Sequence, residues 1–390
     1  MSSFKQTTGA GWCLAIHFPY LPTYDYDFVK GLMEVTAFEE IKILTDINGS
    51  GTLPVSDGLD SLHIINARIF KFFGVWLTPS LMLEAIRLPK KSVIVYCASP
   101  RDLTTVVAAL LARALGKKVI FWGMFHSIGK TRWITSKLFK FMGIIGHKNF
   151  TYARTGAISQ LARGVDPKKL SKIGTASQMR PKRGKSLEQS KSKIASLVSK
   201  DLLINESTFV IAHVMRLSKF KNVDKFLKCC IALSELDIDI RIVVVGGGEM
   251  DAYVREQLQR RDLGHVCVFA GPIYDDYKLD LLYQIASVTL IATCIGLTAH
   301  QSLGYGVPII TDDSISEQTS EFEILSHNYN ALIFEEDNYA QLKHFVLNLS
   351  SDKDLQAELS KGAEKSIEMH TIDGKVAQFQ SALGKLCEFE

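Results

Sequence analysis

Apolar and polar positions alternate along the chain in blocks. Short apolar runs of the kind that form buried parallel strands take turns with segments of helical spacing. Trp12 to Phe18 reads as the first buried strand, with a loop after it at Pro19, Pro22 and Asp25. Phe28 to Phe38 has helical spacing, Ile41 to Leu44 reads as a strand, and Asn48 to Gly58 is rich in turn residues. Leu62 to Leu88 is apolar with scattered Arg and Lys, which predicts one or two helices broken at Pro79. Ser92 to Cys97 is a strand, Asp102 to Leu115 a helix capped by Asp102 and closed by Gly116, and Lys118 to Trp122 a strand. Asn149 to Ala153 and Thr155 to Arg163 add a short strand and a helix. Strands and helices in this order predict a parallel α/β domain.

Gln178 to Lys200 breaks the pattern. It is rich in Lys, Arg, Ser and Gln, with a short helical stretch at Ile194 to Val198, and it reads as an interdomain linker. The alternation then restarts with strands at Phe209 to Val214, Ile240 to Val245 and Val266 to Phe269, and helices at Val223 to Leu236 and Leu279 to Ala286. Ile291 to Asp313 reads as strand, tight turn at Gly296, short helix from Leu297 to Leu303, glycine turn and strand. Tyr339 to Leu349 and Lys353 to Glu388 are helical in pattern. The expected domains are 1–178 and 205–375, joined by a basic linker at 179–204.

Composition changes this picture little. Hydrophobic content of 47%, charged content of 22% and a formal net charge of +4 are ordinary for a globular protein, and no nucleic-acid partner is expected. The seven cysteines show no CxxC or zinc-ligand spacing, so they read as buried free thiols in a reducing cytoplasm, and no metal site is expected. The N-terminus lacks a signal-peptide pattern. The uncharged run Leu281 to Thr311 is broken by Gly and Pro, so two buried strands and a helix explain it better than a bilayer span.

Five places carry candidate chemistry. The helix mouth at Gly296, Leu297 and Thr298 aims free amides out of the carboxyl end of a strand, where phosphate binds well. Arg216 and Lys221 follow the strand Phe209 to Val214 and can hold phosphoryl groups from the other side. The turn Gly246-Gly247-Gly248 follows a strand and precedes a helix, but Asp251 stands where a dinucleotide fingerprint needs its third glycine. That argues against a nicotinamide enzyme. His126 follows a strand end in WGMFHSIGK, and Arg132 to Lys148 is amphipathic and basic. The second segment reads either as a core helix with a solvated basic face or as a membrane-surface helix.

The order RLxxxKN, IRIVVVGGGE, VCVFAGPI and GLTAHQSLGYGVPII resembles the donor-binding half of GT-B glycosyltransferases of the family 4 (group 1) type, over about Phe209 to Asp313. The first half looks like the acceptor domain of transferases that build bacterial surface polysaccharides. The resemblance implies two Rossmann-like parallel-sheet domains facing a central cleft, with a C-terminal helix at 376–390 packing back on the first. It implies no cofactor beyond a nucleotide-diphosphate sugar donor, used without metal and with retention, and a saccharide or lipid-linked saccharide acceptor. A cytoplasmic protein, peripheral on the inner face of the cell membrane, is the matching expectation. Arg216, Lys221, Gly296, Leu297 and Thr298 would hold the donor diphosphate, and Gln301 the ribose. Gly271, Pro272, Ile273 and Asp275 would pack on the base. Gly247, Gly248 and Thr293 are further donor-site candidates, and His126 would face the donor sugar as the catalytic residue. The chain departs from the family where Thr293 and Gln301 replace its paired glutamates, and Glu321 and Glu323 read either as the start of a helix or as substitutes for the lost carboxylate. A catalytically silent subunit that binds nucleotide sugar and a partner transferase is the alternative.

Overall fold

The computed structural model describes residues 11–35, 38–48, 62–129, 132–176, 191–200, 202–384 and 386. The loop expected at Asn48 to Gly58 lies almost wholly outside these residues, as do Lys130 of the WGMFHSIGK stretch and 179–190 of the expected linker. The chain forms two units, Met1–Gln178 with His370–Glu390, and Met179–Met369.

The first unit is built on β1 (Cys13–His17), β2 (Glu40–Thr45), β3 (Ile64–Asn66), β6 (Ser92–Cys97), β7 (Lys118–Gly123), β8 (Lys148–Thr151) and β9 (Leu170–Lys172), with a separate hairpin of β4 (Phe70–Phe72) and β5 (Val75–Leu77). The seven strands run parallel in the order β3-β2-β1-β6-β7-β8-β9. Helices α1 (Thr23–Val35), α2 (Ser80–Arg87), α3 (Leu103–Ala114), α4 (Trp133–Ile145) and α5 (Arg154–Ala162) connect them. Alternate strand residues feed two cores. Leu14, Ile16, Val95 and Trp122 meet α1, while Ala15, Ile94, Tyr96 and Phe121 meet α2, α3 and α4.

The expectation of one or two helices over Leu62 to Leu88 is corrected. Strand β3, the hairpin and the single helix α2 occupy this stretch. The physical reason is local. Phe70-Lys71-Phe72 alternates with period two, both it and Val75-Trp76-Leu77 are rich in β-formers, and Phe73 (φ 45°) and Gly74 (φ 83°) make a tight turn with both residues left-handed.

The second unit carries α6 (Lys191–Val198), β10 (Phe209–Val214), α7 (Val223–Ser234), β11 (Ile240–Val245), α8 (Asp251–Arg260), β12 (Cys267–Gly271), α9 (Asp276–Ile285), β13 (Val288–Leu290), α10 (Thr298–Gly304), β14 (Ile309–Asp312), β15 (Ala331–Phe334), α11 (Tyr339–Ser351) and α12 (Lys353–Glu368). Its six strands are parallel in the order β12-β11-β10-β13-β14-β15. Helix α6 falls inside the stretch expected to be linker. Its Ile194, Ala195 and Val198 are buried with Leu282 and Val243, so apolar spacing on one helix face outweighs the basic composition. The helical pattern over Lys353 to Glu388 is interrupted after α12. Helix α13 (Ile372–Gly384) belongs to the first unit, where Phe379 meets Phe28, Trp122 and Phe150. Gln378 accepts from the Gly174 amide at 2.9 Å, and Lys375 pairs with Asp25 at 3.2 Å.

Candidate functional site

In the second unit the strand order reverses between β10 and β13. Such a switch point opens a crevice past the carboxyl ends of the strands, where α/β proteins bind ligands. Beyond β10, Met215 and Leu217 are buried and turn Arg216 outward between them. A short turn then carries Lys221 back to the loop after β13, where its ammonium donates to the Cys294 carbonyl at 2.6 Å. Cys294 (φ 56°) and Gly296 (φ 62°) are both left-handed in that loop. A Cβ at Gly296 would stand 3.1 Å from Lys221 Nζ, so a side chain there would crowd the ammonium. The structure therefore brings Lys221 and Gly296 together.

Thr298 and the glycine turn have structural partners. The Thr298 hydroxyl donates to the Val214 carbonyl at 2.7 Å and ties the start of α10 to the end of β10. A Cβ at Gly246 would lie 1.9 Å from the Met215 carbonyl oxygen, and one at Gly248 would lie 2.3 Å from that of Leu217. These glycines let the turn after β11 press on the backbone beside Arg216. Gly247 lies toward Pro272, where an added Cβ would meet the ring at 3.6 Å. Pro272 and Asp275 are exposed, Ile273 is half-buried and Gly271 buried. Asp275 caps α9 by accepting from the Tyr277 amide.

The helix mouth differs from expectation at Gly296. The Gly296 amide is not free for a ligand: it donates to Thr319 Oγ1 at 3.0 Å, and the neighbouring Ile295 amide donates to Gln318 Oε1 at 3.2 Å. Helix α10 starts at Thr298, so the mouth is formed by Leu297 and Thr298. Gln301 is buried, and its side-chain oxygen accepts from the Tyr283 hydroxyl at 3.3 Å. Thr293 is also buried, its hydroxyl donating to the Glu317 carbonyl at 3.4 Å. Nearby, the Thr319 hydroxyl donates to the Glu321 carboxylate at 2.6 Å, so this carboxylate stands one side chain from the Gly296 amide. Glu321 and Glu323 lie in one short helical turn, Ser320–Ile324.

His126 belongs to the first unit, in the loop after β7. Its Nδ1–H donates to the Met124 carbonyl at 2.9 Å, which leaves Nε2 as an acceptor. Burial, joined by the Arg163 charge and only partly offset by the Met124 bond, holds its pKa below the ordinary histidine value. The ring is neutral at pH 7.

A buried network that the motifs do not contain supports the loop. Lys225, on the first turn of α7, reaches Asp312 at 2.8 Å, Glu317 at 3.1 Å, Glu336 at 2.5 Å and the Ser314 hydroxyl at 3.0 Å. Burial opposes its charge, but the carboxylates beside it outweigh burial and keep it an ammonium. Gln318 donates to Asp312 Oδ1 at 3.2 Å and to Thr311 at 2.9 Å while holding the Ile295 amide. The chain Lys225, Asp312, Gln318, Ile295 thus fixes the loop between β13 and α10. The sequence signal for it was slight: Lys225 stands one helical turn after Lys221, and Asp312 ends an otherwise apolar strand.

Residues 196–366 match the family model of glycosyl transferases group 1. The chain is 24% identical over 256 residues to a GDP-mannose-dependent alpha-(1-6)-phosphatidylinositol dimannoside mannosyltransferase of Mycobacterium tuberculosis. That match covers 60% of this chain and 65% of the mannosyltransferase, just under two thirds of its length. Among solved structures, a glycosyltransferase from Rickettsia africae superposes with a TM-score of 0.72 at 14% identity, covering 97% of this chain and 99% of its own. Anabaena HepE in complex with UDP-glucose gives 0.68 at 12% identity, over 97% and 99%. With the parallel sheets, the reversed strand order and these matches, the chain has the GT-B glycosyltransferase fold, and its residues 196–366 are a group 1 glycosyl transferase domain.

Proposed function

We propose that the chain transfers a glycosyl group from a nucleoside-diphosphate sugar to a saccharide acceptor, in the assembly of a bacterial surface polysaccharide. One observation carries the reading. Lys221, from the end of β10, sits against the Cys294–Gly296 loop from the end of β13, with Arg216 exposed at the same strand end. Two cations and the amides of Leu297 and Thr298 then face one crevice, the arrangement that receives a diphosphate. They stabilise the leaving nucleoside diphosphate, where negative charge develops, without a metal. The similar HepE structure holds UDP-glucose, and the mannosyltransferase relative is GDP-mannose-dependent, which supports a nucleotide-sugar donor. Within the second unit, Glu321 is the group proposed to meet the donor sugar, with retention at its anomeric carbon.

The test is donor affinity and turnover in Arg216→Ala and Lys221→Ala beside the surface control Lys343→Ala. Each lost charge-assisted contact is worth about 1–3 kcal/mol, a slowing of roughly tenfold to a hundredfold. Three variants equal to the parent protein would remove the diphosphate site. The buried Thr293 favours a second reading, a nucleotide-sugar-binding subunit without turnover, because no carboxylate occupies that position. Donor binding that persists with no transfer to any acceptor would select it.

A further inference from the structure

We propose that the first unit docks on an anionic lipid bilayer through the β4–β5 hairpin and the outer faces of α2, α3 and α4. The hairpin is the strongest observation. Phe70 pairs with Leu77 and Phe72 with Val75, which puts these four side chains on one face. All four are exposed, and Phe73 at the tip is fully so. The opposite face carries Lys71 and Trp76, which pack with Tyr20. Trp76 also donates its amide to the Arg101 carbonyl at 2.7 Å. The hairpin thus turns a fully apolar face to the surroundings, unlike a hairpin exposed to water alone.

The helices beside it share this feature. Helices α2, α3 and α4 bury one face on the same side of the sheet. Their other faces expose Leu83 and Ile86, Val107 and Leu110, and Trp133 and Phe141. Charge identifies the occupant. Between residues 62 and 148 the sequence has fourteen lysines and arginines against two acids, Glu84 and Asp102. Both acids are buried, whereas Arg68, Lys71, Arg87, Arg101, Lys137 and Lys140 are exposed. Exposed aromatic residues ringed by cations, with no exposed acid in the stretch, complement anionic headgroups above acyl chains. A second copy of the chain fits less well, because a two-fold contact would set these cations against themselves. Among the described residues no helix is long and apolar enough to cross a membrane, so the contact is with the bilayer surface.

The proposal does not rest on the donor site, and its test leaves that site untouched. The full chain is floated with phosphatidylcholine vesicles with and without phosphatidylglycerol, over a series of salt concentrations. Binding is expected to the anionic vesicles and to weaken as salt rises. Phe72→Glu combined with Phe73→Glu should lower it by about tenfold or more. Lys137→Glu combined with Lys140→Glu, which leaves the hairpin intact, should lower it by about tenfold as well. Leu347→Glu, an exposed apolar position on α11 of the second unit, should bind as the parent does. Equal binding to neutral vesicles, no binding at all, or parent-like binding by both charge-bearing variants overturns the proposal. So does self-association without lipid that the hairpin variant abolishes, because the face would then belong to a second copy.

Discussion

Lys225 in the second unit and the exposed cations Lys71 and Lys137 in the first are held in opposite ways. The second unit buries Lys225 among Asp312, Glu317 and Glu336 and uses it to hold the loop before α10. The first unit leaves Lys71, Lys137 and their neighbours exposed, stacked on Trp76 and Trp133 at 5.6 and 4.6 Å, with the acids of the same stretch buried elsewhere. A buried, paired cation fixes internal geometry and is costly to remove. An exposed cation adds little to stability and keeps its charge for a partner. Here buried charge holds a loop in place, while exposed charge is the basis of the proposed membrane contact.

The largest expected effect tests the buried half of this contrast. Lys225→Met strands three carboxylates around an apolar side chain and should lower unfolding free energy by about 3 kcal/mol or more, read by denaturant titration. Lys137→Met should stay within about 0.5 kcal/mol of the parent. An equal loss in both would erase the distinction.

Glycines sharpen the contrast at the next level. Gly246→Ala drives a methyl group into the Met215 carbonyl and should cost about 2 kcal/mol or more while loosening the strand end that bears Arg216. Gly74→Ala, at the hairpin tip with nothing within 4 Å, should cost about 1 kcal/mol for its left-handed backbone alone. Thermal unfolding of both variants measures the gap.

The smallest change within any one pH unit is a pH slope. Each unit buries one strand histidine: His17 in β1, whose two ring nitrogens have no partner among the described residues, and His213 in β10, which donates to the Leu290 carbonyl at 2.8 Å and stacks on Phe226. Burial lowers His17 to about 3 and His213 to about 4. The unfolded chain binds these protons near pH 6.5 and the folded chain does not, so the stabilisation is complete above that pH and is lost as pH falls. Each histidine should contribute up to about 1.4 kcal/mol per pH unit, down to about pH 4 for His213 and about pH 3 for His17. His213→Phe should flatten the slope above pH 4, and an unchanged slope would mean that His213 titrates normally.

Local chemistry decided much of what the sequence shows. Strands such as Ser92 to Cys97 and Ile240 to Val245 are readable because they are buried on both faces and therefore continuously apolar. Helix α3 is readable because Asp102 accepts from the Thr104 amide at its start and Gly116 follows its end. Alternation of such elements implied the α/β class, and the motif order from Arg216 to Pro308 implied the group 1 family, since both are recorded in residues near one another in the chain. The hairpin at Phe70–Leu77 is not legible in the apolar pattern because its apolar side faces outward, whereas such a pattern implies a buried face. The partners of Lys225, the bond from Thr298 to Val214 and the loss of the Gly296 amide to Thr319 join residues 23 to 111 positions apart. Such pairings depend on which strand ends lie side by side, and the sheet order that sets this is a property of the folded chain alone.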